Sequence, residues 1–151
     1  MIPISLFGIN TQDCEMFFEE LPHLMGHIDD NEYETMLYKI NDNLSLEQIR
    51  DIDEWAGFQQ IEWPDDIVQE ILTNLDLNKY PDVSLSEGIM TIDGIDAVRI
   101  SYWLHFLTLV YPIYNENTCA GLRRLGLECT FEPNNLTSYG VYVNFIEGLK
   151  E

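Results

Sequence analysis

Acidic side chains crowd the first 96 residues of this chain: 22 Asp or Glu stand against Lys39, Arg50 and Lys79, a net charge of −19. Residues 97–151 carry five acids and four bases, a net of −1. Burying an unpaired carboxylate is costly, so nearly all of these acids belong on the outside. Any core must then be drawn from the apolar residues between them. Those are plentiful, since 46% of the chain is hydrophobic and 12% aromatic. A chain of equal charge and low hydrophobicity would stay unfolded; this one reads as a folded domain with an unusual surface. Its 151 residues are the length of one ordinary domain, which buries about two-thirds of the surface its unfolded form exposes. Repulsion among the acids predicts that added salt stabilises the free protein.

The apolar positions fall mostly at helical spacing. Residues 2–7 are short, apolar and closed by Gly8, which suits a strand. Thr11 opens a helix with Met16, Phe17, Leu21, Leu24, Met25 and Ile28 as its apolar positions, kinked or ended by Pro22. From about Asp30, Tyr33, Met36, Leu37 and Ile40 recur at i, i+3, i+4 and i+7, with Glu32 and Glu34 near the positive end of that helix. Ser45 to Gln48 is a capping box, placing Leu46, Ile49 and Ile52 on an inward face. Pro64, followed by Asp65 and Asp66, marks another helix start, with Ile67, Val68, Ile71, Leu72 and Leu75 as its stripe. Residues 76–88 read as a polar link. Asp93-Gly94 suits a hairpin turn, but the unbroken run from Ile95 to Tyr111 is too long for a strand and predicts a helix capped by Asp93. Thr118 begins a further helix, with Gly126 placed to end it. Leu127 to Phe131 reads as a strand able to pair with residues 2–7. Residues 136–149 space Leu136, Tyr139, Val143 and Ile146 like a helix face, with a strand as the alternative. The expected fold is a single mainly α domain, residues 1–151, with a small two-stranded β element; an α+β arrangement is the alternative.

Cytoplasmic location is the expectation. Met1 to Gly8 has neither the basic nor the long apolar region of a secretory leader. The most apolar run, Tyr102 to Tyr114, is too short to span a bilayer, and an anionic lipid surface would repel residues 1–96. Cys14, Cys119 and Cys129 form no CxxC pair and read as reduced thiols.

Chemistry-bearing patterns fail on inspection. Asp51, Asp53 and Glu62 occupy positions 1, 3 and 12 of an EF-hand register, but Trp55 and Ala56 stand at 5 and 6, where an oxygen ligand and Gly are needed. Asp76, Asn78 and Glu87 repeat the near-miss with Tyr80 and Pro81. His23 and His27 share a zinc-like spacing without a completing pair. His105 sits in an apolar helical run and reads as a core or boundary histidine. No HExxH, Walker, GxGxxG or GxSxG pattern occurs. No catalytic residue, metal or cofactor is therefore expected, and the chain reads as a non-enzyme.

The positive signal lies at residues 51–66. There the acids Asp51, Asp53, Glu54, Glu62, Asp65 and Asp66 surround Trp55, Phe58 and Trp63. Tryptophans are frequent binding anchors, and carboxylates around them steer a Lys- and Arg-rich partner into contact. The competing reading places the tryptophans in the core, with the acids as a solvated face. The expected partner-binding residues are Asp51, Asp53, Glu54, Trp55, Glu62, Trp63, Asp65 and Asp66. The basic proteins such a surface blocks are foremost nucleic-acid enzymes, whose grooves neutralise phosphates. In size, acidity, compartment and lack of a catalytic motif, the whole chain resembles the immunity proteins (antitoxins) that neutralise bacterial nuclease toxins, including those of contact-dependent growth inhibition. That resemblance implies a basic protein partner, a nuclease toxin first, masked through the acidic surface, with no direct nucleic-acid binding and no membrane. The alternatives are a nucleic-acid mimic of the anti-restriction or anti-CRISPR kind and, behind it, a small enzyme.

Overall fold

The structure, a computed structural model, describes residues 31–40, 45–78 and 83–150. The expected strand at 2–7 and the helix from Thr11, with His23, His27 and Cys14, lie outside them. Among the described residues the architecture is mainly helical, in the order α1 (Asn31–Lys39), α2 (Leu46–Ala56), α3 (Asp65–Leu77), a 3-10 helix (Ser84–Thr91), α4 (Ala97–Thr108), α5 (Glu116–Arg124) and α6 (Leu136–Lys150).

Helix α4 is the central element. Ala97, Arg99, Ile100, Ser101, Trp103, Leu104 and Phe106 are all buried on it, while Val98, Tyr102 and His105 on the remaining face are half-buried. Helix α2 packs on α4, while the 3-10 helix contacts both α3 and α6. One continuous apolar cluster runs from Met36 and Ile40 on α1 through Ile49, Ile52, Ile71, Leu75 and Ile89 to Tyr139 and Val143 on α6.

Local chemistry sets the helix boundaries. Ser45 is the N-cap of α2, its hydroxyl accepting the Gln48 N–H at 3.3 Å, and Gly57 closes that helix at φ 75°. Pro64 precedes α3 and its carbonyl accepts the Val68 N–H at 3.0 Å. The acids Asp65 and Asp66 fill the first turn, where the helix dipole favours them. Asn115, rather than Thr118, caps α5, its side chain accepting the Thr118 N–H at 2.8 Å.

Three expectations need correction. The helix over 95–111 is shorter, Ala97–Thr108, and its cap is Asp96, not Asp93. Asp93-Gly94 instead forms a turn, with Gly94 at φ 83° and the Ile95 N–H on the Ile92 carbonyl at 3.1 Å. The polar link at 76–88 contains the start of the 3-10 helix. Leu127 to Phe131 forms no strand, and no strand occurs among the described residues. Irregular backbone at residues 112, 113, 130 and 132 is held by tyrosines instead. The Tyr139 hydroxyl donates to the Pro112 carbonyl at 3.0 Å, that of Tyr142 to Ile113 at 2.6 Å, and that of Tyr114 to Thr130 at 2.7 Å. Tyr114 then accepts the Glu132 N–H at 2.9 Å. Side-chain hydroxyls thus do what a neighbouring strand would do, because a buried backbone carbonyl needs a donor from somewhere.

Candidate functional site

The stretch 51–66 folds as the end of α2, the loop 57–64 and the first turn of α3. Helical geometry sorts its acids. Ile49, Ile52 and Asp53 stand at i, i+3 and i+4, so they share the inner face of α2, while Glu54 faces outward. Glu54, Glu62, Asp65 and Asp66 are exposed, and Asp51 is partly exposed and paired with Lys39 at 3.0 Å. An open cleft of about 580 Å³ lies between α2 and the loop, lined by Asp51, Glu54, Phe58, Gln60 and Glu62 together with Arg50. Arg50 pairs with Glu62 at 3.0 Å, and its carbonyl accepts from the Gln60 side chain at 3.0 Å.

Asp53 is not part of that surface. Its side chain is 1% exposed and points at α4, where one carboxylate oxygen accepts the Trp103 indole N–H at 2.7 Å. The other stands 3.6 Å from Nη1 of Arg99, itself only 5% exposed. That separation is long for a hydrogen bond, and neither atom makes one, so charge alone couples them. Burial raises the Asp53 carboxyl above the usual carboxylate range, although the Trp103 hydrogen bond and the Arg99 charge pull it down. The expectation that Asp53 touches a partner is therefore replaced by an internal role: it anchors Arg99.

Arg99 in turn organises the loop that carries the outer acids. Its Nη2 donates to the Gln59 carbonyl at 2.9 Å. Its guanidinium lies 5.0 Å from the Phe58 ring centroid and 5.8 Å from that of Trp63, within cation–π range. Trp63 meets Trp103 edge-on at 6.1 Å, and its indole N–H reaches the Asp93 carbonyl at 3.4 Å. Trp55 packs edge-on against Phe106 at 5.0 Å and lies 6.1 Å from Tyr33. Both tryptophans are half-buried and anchored inward. A fixed loop holding carboxylates outward is the arrangement that results. Sequence reasoning places Phe58 in this unit but misses Arg99. The signal available was that Asp53 and Arg99 each interrupt an apolar helix face with opposite charge.

Other chemistry-bearing groups are occupied internally. A carbonyl only accepts, so His105 Nδ1, 2.7 Å from the Tyr111 carbonyl, carries the proton, and Nε2 accepts from the Tyr33 hydroxyl at 2.8 Å. Burial holds this imidazole below its usual pKa, against the pull of the Tyr111 hydrogen bond. A groove of about 350 Å³ between the 3-10 helix and α6 has Glu87 as its one ionisable lining residue. No group of three His, Cys, Asp or Glu close enough to hold a metal occurs among the described residues, and no helix there is long and apolar enough to cross a membrane. The first EF-hand register starts inside α2, which is a helix at Asp51 and Asp53 rather than a loop. Comparison of the chain with protein-family models, with curated proteins and with solved structures finds no match.

Proposed function

We propose that this protein is a cytoplasmic immunity protein that binds and masks a basic toxin, a nuclease first, by covering its substrate groove. One observation carries the reading: Glu54, Glu62, Asp65 and Asp66 are exposed on a loop and helix end that Arg99 braces from behind. A braced surface loses little conformational freedom on binding, which favours affinity. Clustered carboxylates steer a cationic groove into register and speed its encounter. Only Arg50 and Lys39 offset the acids of α1, α2 and α3, and each is already paired, with Glu62 and Asp51. The phosphate-binding groove of a nuclease supplies the complementary Lys and Arg array.

A titration against the partner's nuclease activity tests this. Masking predicts inhibition that saturates near one equivalent and weakens as salt screens the surface charges. Complete inactivation at a small fraction of an equivalent would show turnover and replace the reading with an enzyme. Equal inhibition of unrelated DNA-binding proteins would replace it with nucleic-acid mimicry.

A further inference from the structure

Asp93-Gly94 is the only place in the sequence where Asp or Asn precedes glycine. The pair fills the two central positions of a turn that the Ile95 N–H closes on the Ile92 carbonyl at 3.1 Å, a bond in which the Gly94 amide takes no part. Gly94 is left-handed at φ 83° and Asp93 is not, which makes the turn type II. Both residues are exposed. Two side chains of the acidic loop rest on this turn. Ile61 lies so close over Gly94 that a β-carbon there would stand 2.1 Å from its Cδ1. The Trp63 indole N–H reaches the Asp93 carbonyl at 3.4 Å. Ile61 and Trp63 are half-buried, and Glu62 between them is exposed. The turn is therefore a second footing, besides Arg99, for the stretch that carries Glu62. Glycine suits position 94 twice over, since it tolerates left-handed backbone and brings no side chain against Ile61.

We propose that Asp93-Gly94 is a site of spontaneous isoaspartate formation, and that the product releases residues 61–63 from their footing. The Gly94 amide nitrogen, with no side chain beside it to obstruct the approach, attacks Cγ of Asp93. A bond forms between them, and the amide proton and the carboxyl's hydroxyl leave as water, closing a succinimide. Water then adds back and opens the ring. Cleavage between the nitrogen and Cγ restores aspartate. Cleavage between the nitrogen and the main-chain carbonyl carbon gives isoaspartate, of unchanged mass. Ring closure needs the 93–94 peptide to swing out of its type II orientation, a local opening of a short surface turn. In the product the chain runs through Cβ and Cγ, so the turn is longer by a backbone carbon. The oxygen that met Trp63 now belongs to a carboxylate on a branch, and Gly94 is displaced from beneath Ile61. The consequence for masking rests on the function proposed above: with Glu62 less firmly held, the isomerised protein binds its partner more weakly.

The test incubates the full chain at neutral pH and physiological temperature beside the variants Asp93→Glu and Asp93→Asn. Glutamate keeps the charge but would have to close a less favourable six-membered ring. Asparagine reaches the same succinimide more readily, by losing ammonia. Methyl transfer from labelled S-adenosylmethionine by an isoaspartyl methyltransferase reads the product, and a peptide map locates it. The expected result is label accumulating at residue 93 of the unaltered chain, faster in Asp93→Asn and missing from that position in Asp93→Glu. The isomerised fraction, separated by chromatography, should be cut after Glu62 by a glutamate-specific protease several-fold faster than the unmodified protein, and unfold at lower urea. Label that appears only once urea unfolds the chain, label that maps mainly to other residues, or an isomerised fraction cut after Glu62 at the native rate would each overturn the proposal. These readouts involve no partner, so they stand or fall separately from the masking role.

Discussion

Replacing Arg99 with Met tests whether the buried pair, rather than general packing, holds the loop. Methionine keeps most of the stem volume, so little cavity is left on α4. What is lost is the cation paired with Asp53, the hydrogen bond to the Gln59 carbonyl and the two ring contacts. Stranding one member of a buried ion pair costs about 3–5 kcal/mol, against a total stability of roughly 5–15 kcal/mol for a domain. The deficit carries a pH signature. Burial already raises the Asp53 carboxyl in the native protein, and without Arg99 it rises further. The folded variant then retains a proton that the unfolded chain releases above about pH 4. Its stability therefore falls as pH rises through that window, and the cost of Arg99→Met is smaller at about pH 4.5 than at about pH 7. Adding Asp53→Asn keeps an oxygen acceptor for Trp103 and removes the stranded charge, so the double variant recovers part of the loss. Urea unfolding followed by far-ultraviolet dichroism measures all of this. A loss below about 1 kcal/mol, a loss equal at both pH values, or a double variant as unstable as the single one would refute the reasoning.

Charge reversal to Lys at the exposed Glu54, Glu62, Asp65 and Asp66 should slow association with the basic partner by about tenfold or more and flatten its salt dependence, leaving the fold intact. Stopped-flow binding reads this; unchanged rates, with reversals confined to 97–151 abolishing binding, would move the interface elsewhere. Leu109 holds the left-handed conformation at φ 59° while 61% exposed. Leu109→Gly should therefore gain up to about 1 kcal/mol in urea unfolding, and a loss would show that its exposed side chain contributes packing. Because burial depresses the His105 pKa, the unfolded chain takes up a proton below about pH 6.5 that the folded chain refuses. The stability this group contributes is present above that value and lost as pH falls toward the folded pKa. His105→Gln should flatten the acid limb of the stability profile, and an unchanged slope counts against the assignment.

Local signals located most of the helices. Ser45 and Gly126 act where cap and turn chemistry put them, and the spacings at 33–40, 46–52, 67–75 and 136–146 correspond to α1, α2, α3 and α6. What local signals missed is settled by distant partners. Asp93 and Asp96 are equally good caps by type, and Asp96 wins where the neighbouring Ala97 N–H meets the Pro133 carbonyl at 2.8 Å. Residues 127–131 have the content of a strand, but their backbone is held by Arg123 and Tyr114. At the candidate site, composition drew attention to residues 51–66 and the outward acids follow from helix register. Asp53 departs from the other acids because it shares the apolar face of α2 with Ile49 and Ile52.

The tyrosines around residues 112–130 also divide the molecule optically. Tyr114, Tyr139 and Tyr142 all lie C-terminal to α4, and burial raises each phenol above its usual range. Trp55, Trp63 and Trp103 all lie at or before α4. Indole emission therefore reports on α2, the 57–64 loop and α4, and the late phenolate absorbance of these three buried tyrosines reports on the segments that follow α4. A buried phenol that ionises late withholds its signal until its surroundings open, so stability falls as pH rises past about 10. Following both signals in one alkaline melt reveals whether the two parts come apart as a single cooperative unit or in sequence, with no label attached.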